Sequence, residues 1–303
     1  MANTESPSTE TLRALAESWL IGLRAERKSP QTLKSYADGV ASFLDWLEQH
    51  PGTGFDRHAL ARWLGSLEDR GNAPATMRVR QLAVRRFSSW LVDEDELNVD
   101  PMRDVKPVKL DQPVIQPLTD AQLKALLATK TGRKFADVRD EAILRLMVET
   151  GMRAGEVVAL TVTDVDKGAG TVLVRRGKGG KGRIVPISAP TLRAIDRWER
   201  TRRTHLLAGT QALWLGERGK GFTYDGLHKS LRMRAEAAGI EGFHPHLLRH
   251  TAAHRWLAAG GSEGGLMAVA GWTRPDMLLR YTRAKANERA ISEARNLGLG
   301  DDL

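Results

Sequence analysis

Across residues 1–100, apolar side chains recur at the alternating three- and four-residue spacing of amphipathic helices. Leu12, Leu15, Trp19, Leu20 and Leu23 form one stripe, with Ser8 or Thr9 placed to cap it. A second stripe opens at Ser29-Pro30, where proline suits a first helical turn, and carries Leu33, Tyr36, Val40, Phe43, Leu44 and Leu47. A third segment runs from about Asp56 to Arg70 and stops at Gly71-Asn72. A fourth starts near Pro74 and carries Val79, Leu82, Val84, Phe87, Trp90 and Leu91, with Arg78, Arg80, Arg85 and Arg86 on its other side. Four such helices joined by short connections predict a helical bundle over residues 1–100.

Pro101, Pro107, Pro113 and Pro117 then interrupt the pattern, and proline at that density favours an extended linker over residues 101–117. Beyond it the periods mix. Helical patterns cover 119–129, 135–150 and 155–160, followed by β-branched residues at 170–176 that read as a strand. A glycine-rich turn at 177–182 leads into a second strand at 183–187, so the pair predicts a β-hairpin. Helical patterns return at 189–203, 223–238, 246–259, 263–270 and 275–281, with one more in the tail at 284–296. The expected fold is mostly α in two domains: a four-helix bundle, then an α+β domain over 118–303 with a small antiparallel sheet.

Composition narrows the function. The chain has 303 residues and no cysteine, which excludes a disulfide scaffold, a thiol nucleophile and any zinc site that uses sulfur. Residues 1–10 are polar and show no signal peptide, and no run approaches the roughly 18 apolar residues of a membrane span. The expectation is a cytoplasmic protein with no membrane partner. The net charge of +9 is unevenly placed. Residues 1–110 hold 15 basic and 16 acidic side chains, whereas 111–303 hold 31 and 21. A neutral front and a basic back suit a polyanion such as nucleic acid, although a solvated basic surface has the same composition.

Four features carry candidate chemistry. Thr150-Gly151-Met152-Arg153-Ala154-Gly155-Glu156 sets an arginine at a helix start with a glutamate three residues on, on the same face, where Glu156 can fix the guanidinium's direction. The hairpin turn carries Lys178 and Lys181 among four glycines; such a turn approaches phosphates closely but lacks the full nucleotide P-loop pattern. His246-Leu247-Leu248-Arg249-His250 places His246 and Arg249 on one helix face, a proton-transfer group beside a fixed cation. His246, His250 and His254 also have metal-ligand spacing, but no carboxylate completes an HExxH-type site, so no metal is expected. Last comes Gly271-Trp272, followed by Tyr281 in a basic neighbourhood. Taken singly, each has a bland reading: a surface ion pair, a flexible turn, core histidines, a packing tyrosine.

In this order the motifs resemble the tyrosine recombinase (phage integrase) family. Its signature is an arginine in a TGxR-xxE context, a lysine in a GKG turn, HxLRH, then GH or GW with a tyrosine nine residues beyond. The matching residues here are Arg153, Lys178, His246 with Arg249, Trp272 and Tyr281. Residues 75–107 are similar to the last helix and exit of the family's SAM-like core-binding domain, so the resemblance covers nearly the whole chain. It implies a site-specific recombinase in which Tyr281 attacks a DNA phosphodiester, giving a 3′-phosphotyrosine and a free 5′-hydroxyl, with neither metal nor cofactor. Arg153 and Arg249 would clamp the phosphate, Lys178 would protonate the leaving oxygen with Lys181 as its competitor, and His246 would assist at the tyrosine. Trp272 stands where the family has His or, less often, Trp, and an indole N–H donates a hydrogen bond but shuttles no proton. Glu156 would orient Arg153, and Arg78, Arg80, Arg85 and Arg86 would contact DNA.

The family also implies a homotetramer on two double-stranded sites, with or without a paralogous subunit, held by a tail that docks on a neighbour. With the first helix within about ten residues of Met1, the chain reads as a simple Xer- or Cre-like member without an arm-binding domain. Its role would be integration and excision or dimer resolution. A type IB topoisomerase, a non-catalytic DNA-binding protein on the same scaffold and a zinc hydrolase are the alternatives. The charge distribution has a direct consequence. DNA binding should weaken steeply as salt rises, because each basic contact releases counterions; a flat response in a salt titration would count against a DNA clamp.

Overall fold

Serine and aspartate caps fix where the first helices begin in the computed structural model, which describes residues 7–110, 115–129, 132, 134–175, 182–274 and 278. The chain divides into two compact units, 1–113 and 114–303. In the first, α1 (Thr9–Ala25), α2 (Pro30–Glu48) and α3 (Arg57–Asp69) start at Ser8, Ser29 and Asp56, whose side chains accept from backbone N–H groups of the first turn. The fourth helix, α4 (Pro74–Asp93), relies on proline at its start. Phe43, Trp63, Phe87, Leu60, Val84 and Leu91 are fully buried between them, with the Phe43 ring 5.1 Å from that of Trp63.

The α4 stripe differs from the sequence expectation. Val79 and Leu82 are exposed, at 44% and 41%. The core face is instead Met77, Gln81, Val84, Ser88 and Leu91, a set with equally good helical spacing. Two of these are polar, and both are satisfied by the chain that follows. Gln81 donates to the Lys106 carbonyl at 3.0 Å and accepts from Val108 N–H at 2.8 Å. Ser88 donates to Asp100, which also accepts from Met102 N–H at 2.8 Å. Met102 is fully buried in this unit's core. Residues 100–108 therefore pack on the helices, where the sequence suggested a linker from residue 101.

The second unit is built around α6 (Phe135–Thr150), whose buried residues lie on nearly every side: Val138, Asp140, Ala142, Ile143, Leu144, Leu146 and Met147. A helix apolar over most of its circumference belongs at the centre of a core. Around it stand α5 (Asp120–Ala128), α7 (Ala154–Val158), α8 (Ala189–Arg202), α9 (Tyr224–Ala237), α10 (Pro245–Ala258) and α11 (Glu263–Ala270). The sheet is antiparallel in the order β1 (Val165–Asp166), β2 (Thr171–Val174), β3 (Arg183–Pro186). Val172 pairs with Val185 on the buried face, and Leu173 with Ile184 on the exposed one. β1 was not expected; two residues are too few for a strand pattern. The indole N–H groups of Trp198 and Trp214 donate to the carbonyls of Leu213 and Val157, both at 2.8 Å. The helices expected at 275–281 and 284–296 lie outside the described residues apart from Leu278, which is helical and buried. Among the described residues no helix is long and apolar enough to cross a membrane.

Gly39 marks the closest approach of α2 to α4. A Cβ there would lie 2.8 Å from the Ala83 Cβ and 3.2 Å from the Arg80 Cα. Gly39→Val is expected to destabilise the first unit by about 1–3 kcal/mol through overpacking. Urea unfolding of the full chain should show the first unit's transition moving to lower denaturant.

Candidate active site

Two helices end in left-handed glycines where the signature residues begin. Gly151 closes α6 with φ of +62°, and Gly271 closes α11 with φ of +64°. At Gly151 a Cβ would also meet the Ala252 Cβ at 3.2 Å, so glycine is required by conformation and by space.

Arg153 is the N-cap residue of α7 and Glu156 lies in that helix's first turn. Glu156 accepts from Arg153 twice, from the backbone N–H at 2.9 Å and from Nη1 at 2.8 Å. Arg183, at the head of β3, reaches the same carboxylate with both terminal nitrogens, at 3.0 and 2.7 Å. The Glu156 side chain is only 6% exposed. Burial pushes its carboxyl up, but hydrogen bonds from Arg183 and Arg153 and the charge of Arg183 outweigh that and hold it below its ordinary value of 4.5.

Arg249, in α10, is almost wholly buried. Its Nη1 donates to the Gly151 carbonyl at 2.7 Å and its Nη2 to the Ala270 carbonyl at 2.7 Å. The guanidinium lies 5.2 Å from the Trp272 ring centre. One cation thus ties the segment before Arg153 to the end of α11. His246 stands exposed in the first turn of α10, its ring edge-on to His250 at 4.7 Å. The structure therefore brings Arg153, Glu156, Arg249 and Trp272 onto one connected framework, with His246 on the helix that supplies Arg249. Lys178, Lys181 and Tyr281 lie outside the described residues.

The arginines of α4 belong to the first unit and divide into two pairs. Arg78 and Arg86 are exposed. Arg80 and Arg85 are half-buried, donating to Asn72 Oδ1 at 3.1 Å and to the Arg103 carbonyl at 3.5 Å. The sequence reading had put all four on one side, but residues two apart on a helix point in different directions. The residue that sequence reasoning missed is Arg183. Its only signal was a basic residue heading a strand directly after the glycine-rich turn.

The Phage integrase family model matches residues 116–288, and the Phage integrase N-terminal SAM-like domain matches residues 16–95. The chain is 31% identical to "Tyrosine recombinase XerC" of Roseiflexus castenholzii, over 88% of this chain and 87% of that protein. Among solved structures it is similar to the XerH site-specific recombinase bound to palindromic difH substrate, a post-cleavage complex. That match has a TM-score of 0.73 and 19% identity, over 95% of this chain and 84% of that one. It is also similar to a lambda integrase tetramer bound to a Holliday junction, with a TM-score of 0.67 and 15% identity, over 87% of this chain and 74% of that one.

Glu156→Gln removes the charge that neutralises two guanidiniums and is expected to cost about 3 kcal/mol at neutral pH. The native carboxyl is shifted down, so its stabilisation is complete above pH 4.5 and is lost as pH falls through the native value. The stability gap between the two proteins, read by urea unfolding at a series of pH values, should close on the acid side.

Proposed function

The chain belongs to the phage integrase family and is a site-specific DNA recombinase, and from that premise we propose that Tyr281 is its nucleophile and that Arg153, Lys178, His246, Arg249 and Trp272 complete the catalytic set. The observation that carries the assignment is the hold of Arg249 on the Gly151 carbonyl, two residues before Arg153. It supports a site in which two always-charged planar cations face one phosphate from a common scaffold.

In the proposed reaction the Tyr281 oxygen attacks phosphorus in line with the 5′-oxygen. A P–O bond to tyrosine forms as the P–O5′ bond breaks, leaving the 3′-phosphate on the protein. Negative charge grows on the non-bridging oxygens, where Arg153 and Arg249 stabilise it. His246 takes the tyrosine proton, and Lys178 gives one to the leaving 5′-oxygen. Lys181 is the other candidate for that proton. Trp272 donates a hydrogen bond and packs against Arg249; it carries no proton between groups. The covalent link conserves the phosphodiester's energy, so a 5′-hydroxyl from the partner strand can reverse the step without any external energy source.

Exchange between two duplexes needs two sites and four strands to be cut. A tetramer on two double-stranded sites, of this chain alone or with a paralogue, meets that need, in keeping with the similarity to a tetramer bound to a Holliday junction. Arg78 and Arg86 are the α4 residues best exposed to meet DNA; Arg80 and Arg85 would shape that face from within. We place residues 1–100 as the core-binding domain, 101–117 as a connection whose first part, to residue 108, packs on that domain's helices, and 118–303 as the catalytic domain, working in the cytoplasm on integration, excision or dimer resolution.

The deciding experiment uses a nicked duplex carrying sites from DNA flanking the gene, incubated without metal or ATP. Wild-type protein is expected to give a slowly migrating covalent adduct on a denaturing gel. Tyr281→Phe should give none while binding the same DNA equally well. An adduct that survives in the phenylalanine variant would sink the assignment.

A further inference from the structure

Three separate pieces of the site meet at Arg183. It heads β3, two residues beyond Lys181 and five beyond Lys178. Its side chain is only 10% exposed, and each of its three guanidinium nitrogens has an acceptor. Nη1 and Nη2 take the two oxygens of Glu156, while Nε donates to the Val269 carbonyl at 2.7 Å. Glu156 in turn holds Arg153, and the carbonyl next to Val269, that of Ala270, is held by Arg249. Two arginines from different elements thus grip consecutive carbonyls in the last turn of α11, directly before Gly271 and Trp272. The fit at that point is close: a Cβ on Gly271 would lie 2.9 Å from Arg183 Nη1.

Resting on the recombinase reading of this site, we propose that Arg183 is a positioning residue: it aims Arg153 at the scissile phosphate through Glu156 and fixes the end of α11 that leads toward Tyr281. Stability alone is a poor account of the arrangement. A buried ion pair carries a desolvation cost that well-packed apolar residues avoid, and replacing such pairs is often neutral or stabilising. What the guanidinium supplies is direction, since one plane serves a bidentate carboxylate and a carbonyl together. Glu156 Oε1 accepts from both Arg183 and Arg153. Without Arg183 the carboxylate is held from one side only, and Arg153 loses its fixed reference. The same residue roots the strand that follows the lysine turn, so the general acid and the phosphate clamp share one anchor.

The test compares wild type, Arg183→Met and Arg183→Lys in single-turnover adduct formation on the nicked duplex, alongside DNA affinity and thermal melting. Arg183→Met is expected to slow cleavage about 100-fold, the scale of a small misplacement of a reacting group, with little change in affinity. Arg183→Lys keeps a cation in place, guards against simple unfolding and is expected to recover only part of the rate, because an ammonium cannot serve three acceptors in one plane. The readout that separates positioning from plain stability is a duplex whose scissile phosphate is a methylphosphonate, which lacks the negative charge that Arg153 clamps. On it the Arg183→Met defect should shrink along with that of Arg153→Ala. On the normal duplex, combining the two substitutions should cost little more than Arg153→Ala alone.

A defect of equal size on both duplexes, full additivity with Arg153→Ala, or wild-type cleavage by Arg183→Met would each overturn the proposal. Failure of the wild-type protein to form any adduct would instead overturn the recombinase reading beneath it.

Discussion

A carboxylate taken out of water beside no cation would bind a proton and stop acting as a charge, so the burial of Glu156 is tolerable only because two guanidiniums close on it. The second unit's chemistry is arranged around that constraint. The pair of arginines comes from α7 and from β3, which forces the helix start and the sheet into one register. Arg183 then extends the network to α11, and Arg249 closes it from α10 onto Gly151 and Ala270. Charge and carbonyl acceptors thus link four elements, beside the apolar packing of α10 against α11 through Leu257, Leu266 and Ala270.

Elsewhere the same unit buries a second ionic group with a different outcome. Arg139 pairs with Asp140 at 2.8 Å and lies 4.0 Å from the Phe222 ring centre, and Arg234 reaches Asp140 and the Thr129 carbonyl from α9. These contacts fasten α9 and the 212–222 segment to α6 without involving any signature residue. The first unit holds itself together by other means, with clustered aromatic rings and a glycine that lets two helices touch. Rings in tilted contact add modestly to what their burial already contributes.

How far the fold could be read in advance follows from which information is local. Helix positions were legible because period and caps are short-range: Ser29-Pro30 and Asp56 open helices where expected, and α11 spans the expected residues. The pairing of Arg153 with Glu156 was legible for the same reason, being three residues apart in one turn. The facing of α4 was not. Gln81 and Ser88 look like surface residues until residues 100–108 return to satisfy them, and with them inside, Val79 and Leu82 are turned out. Arg183 escaped for a like reason, its partners lying 27 and 86 residues away in the chain. Long-range polar partners leave no periodic trace.

The two left-handed glycines give the site a genetic property as well as a geometric one. Asparagine and aspartate tolerate such a backbone best after glycine; asparagine lies two base changes from a glycine codon, and aspartate, one change away, brings a charged side chain. The neighbours that are reachable in one step all add a Cβ, which meets Ala252 behind Gly151 and the Arg183 guanidinium behind Gly271. Point drift is therefore constrained at both turns, while the exposed face of α4 is open to it. A lineage built on this scaffold can retune its surfaces freely but inherits these two turns intact.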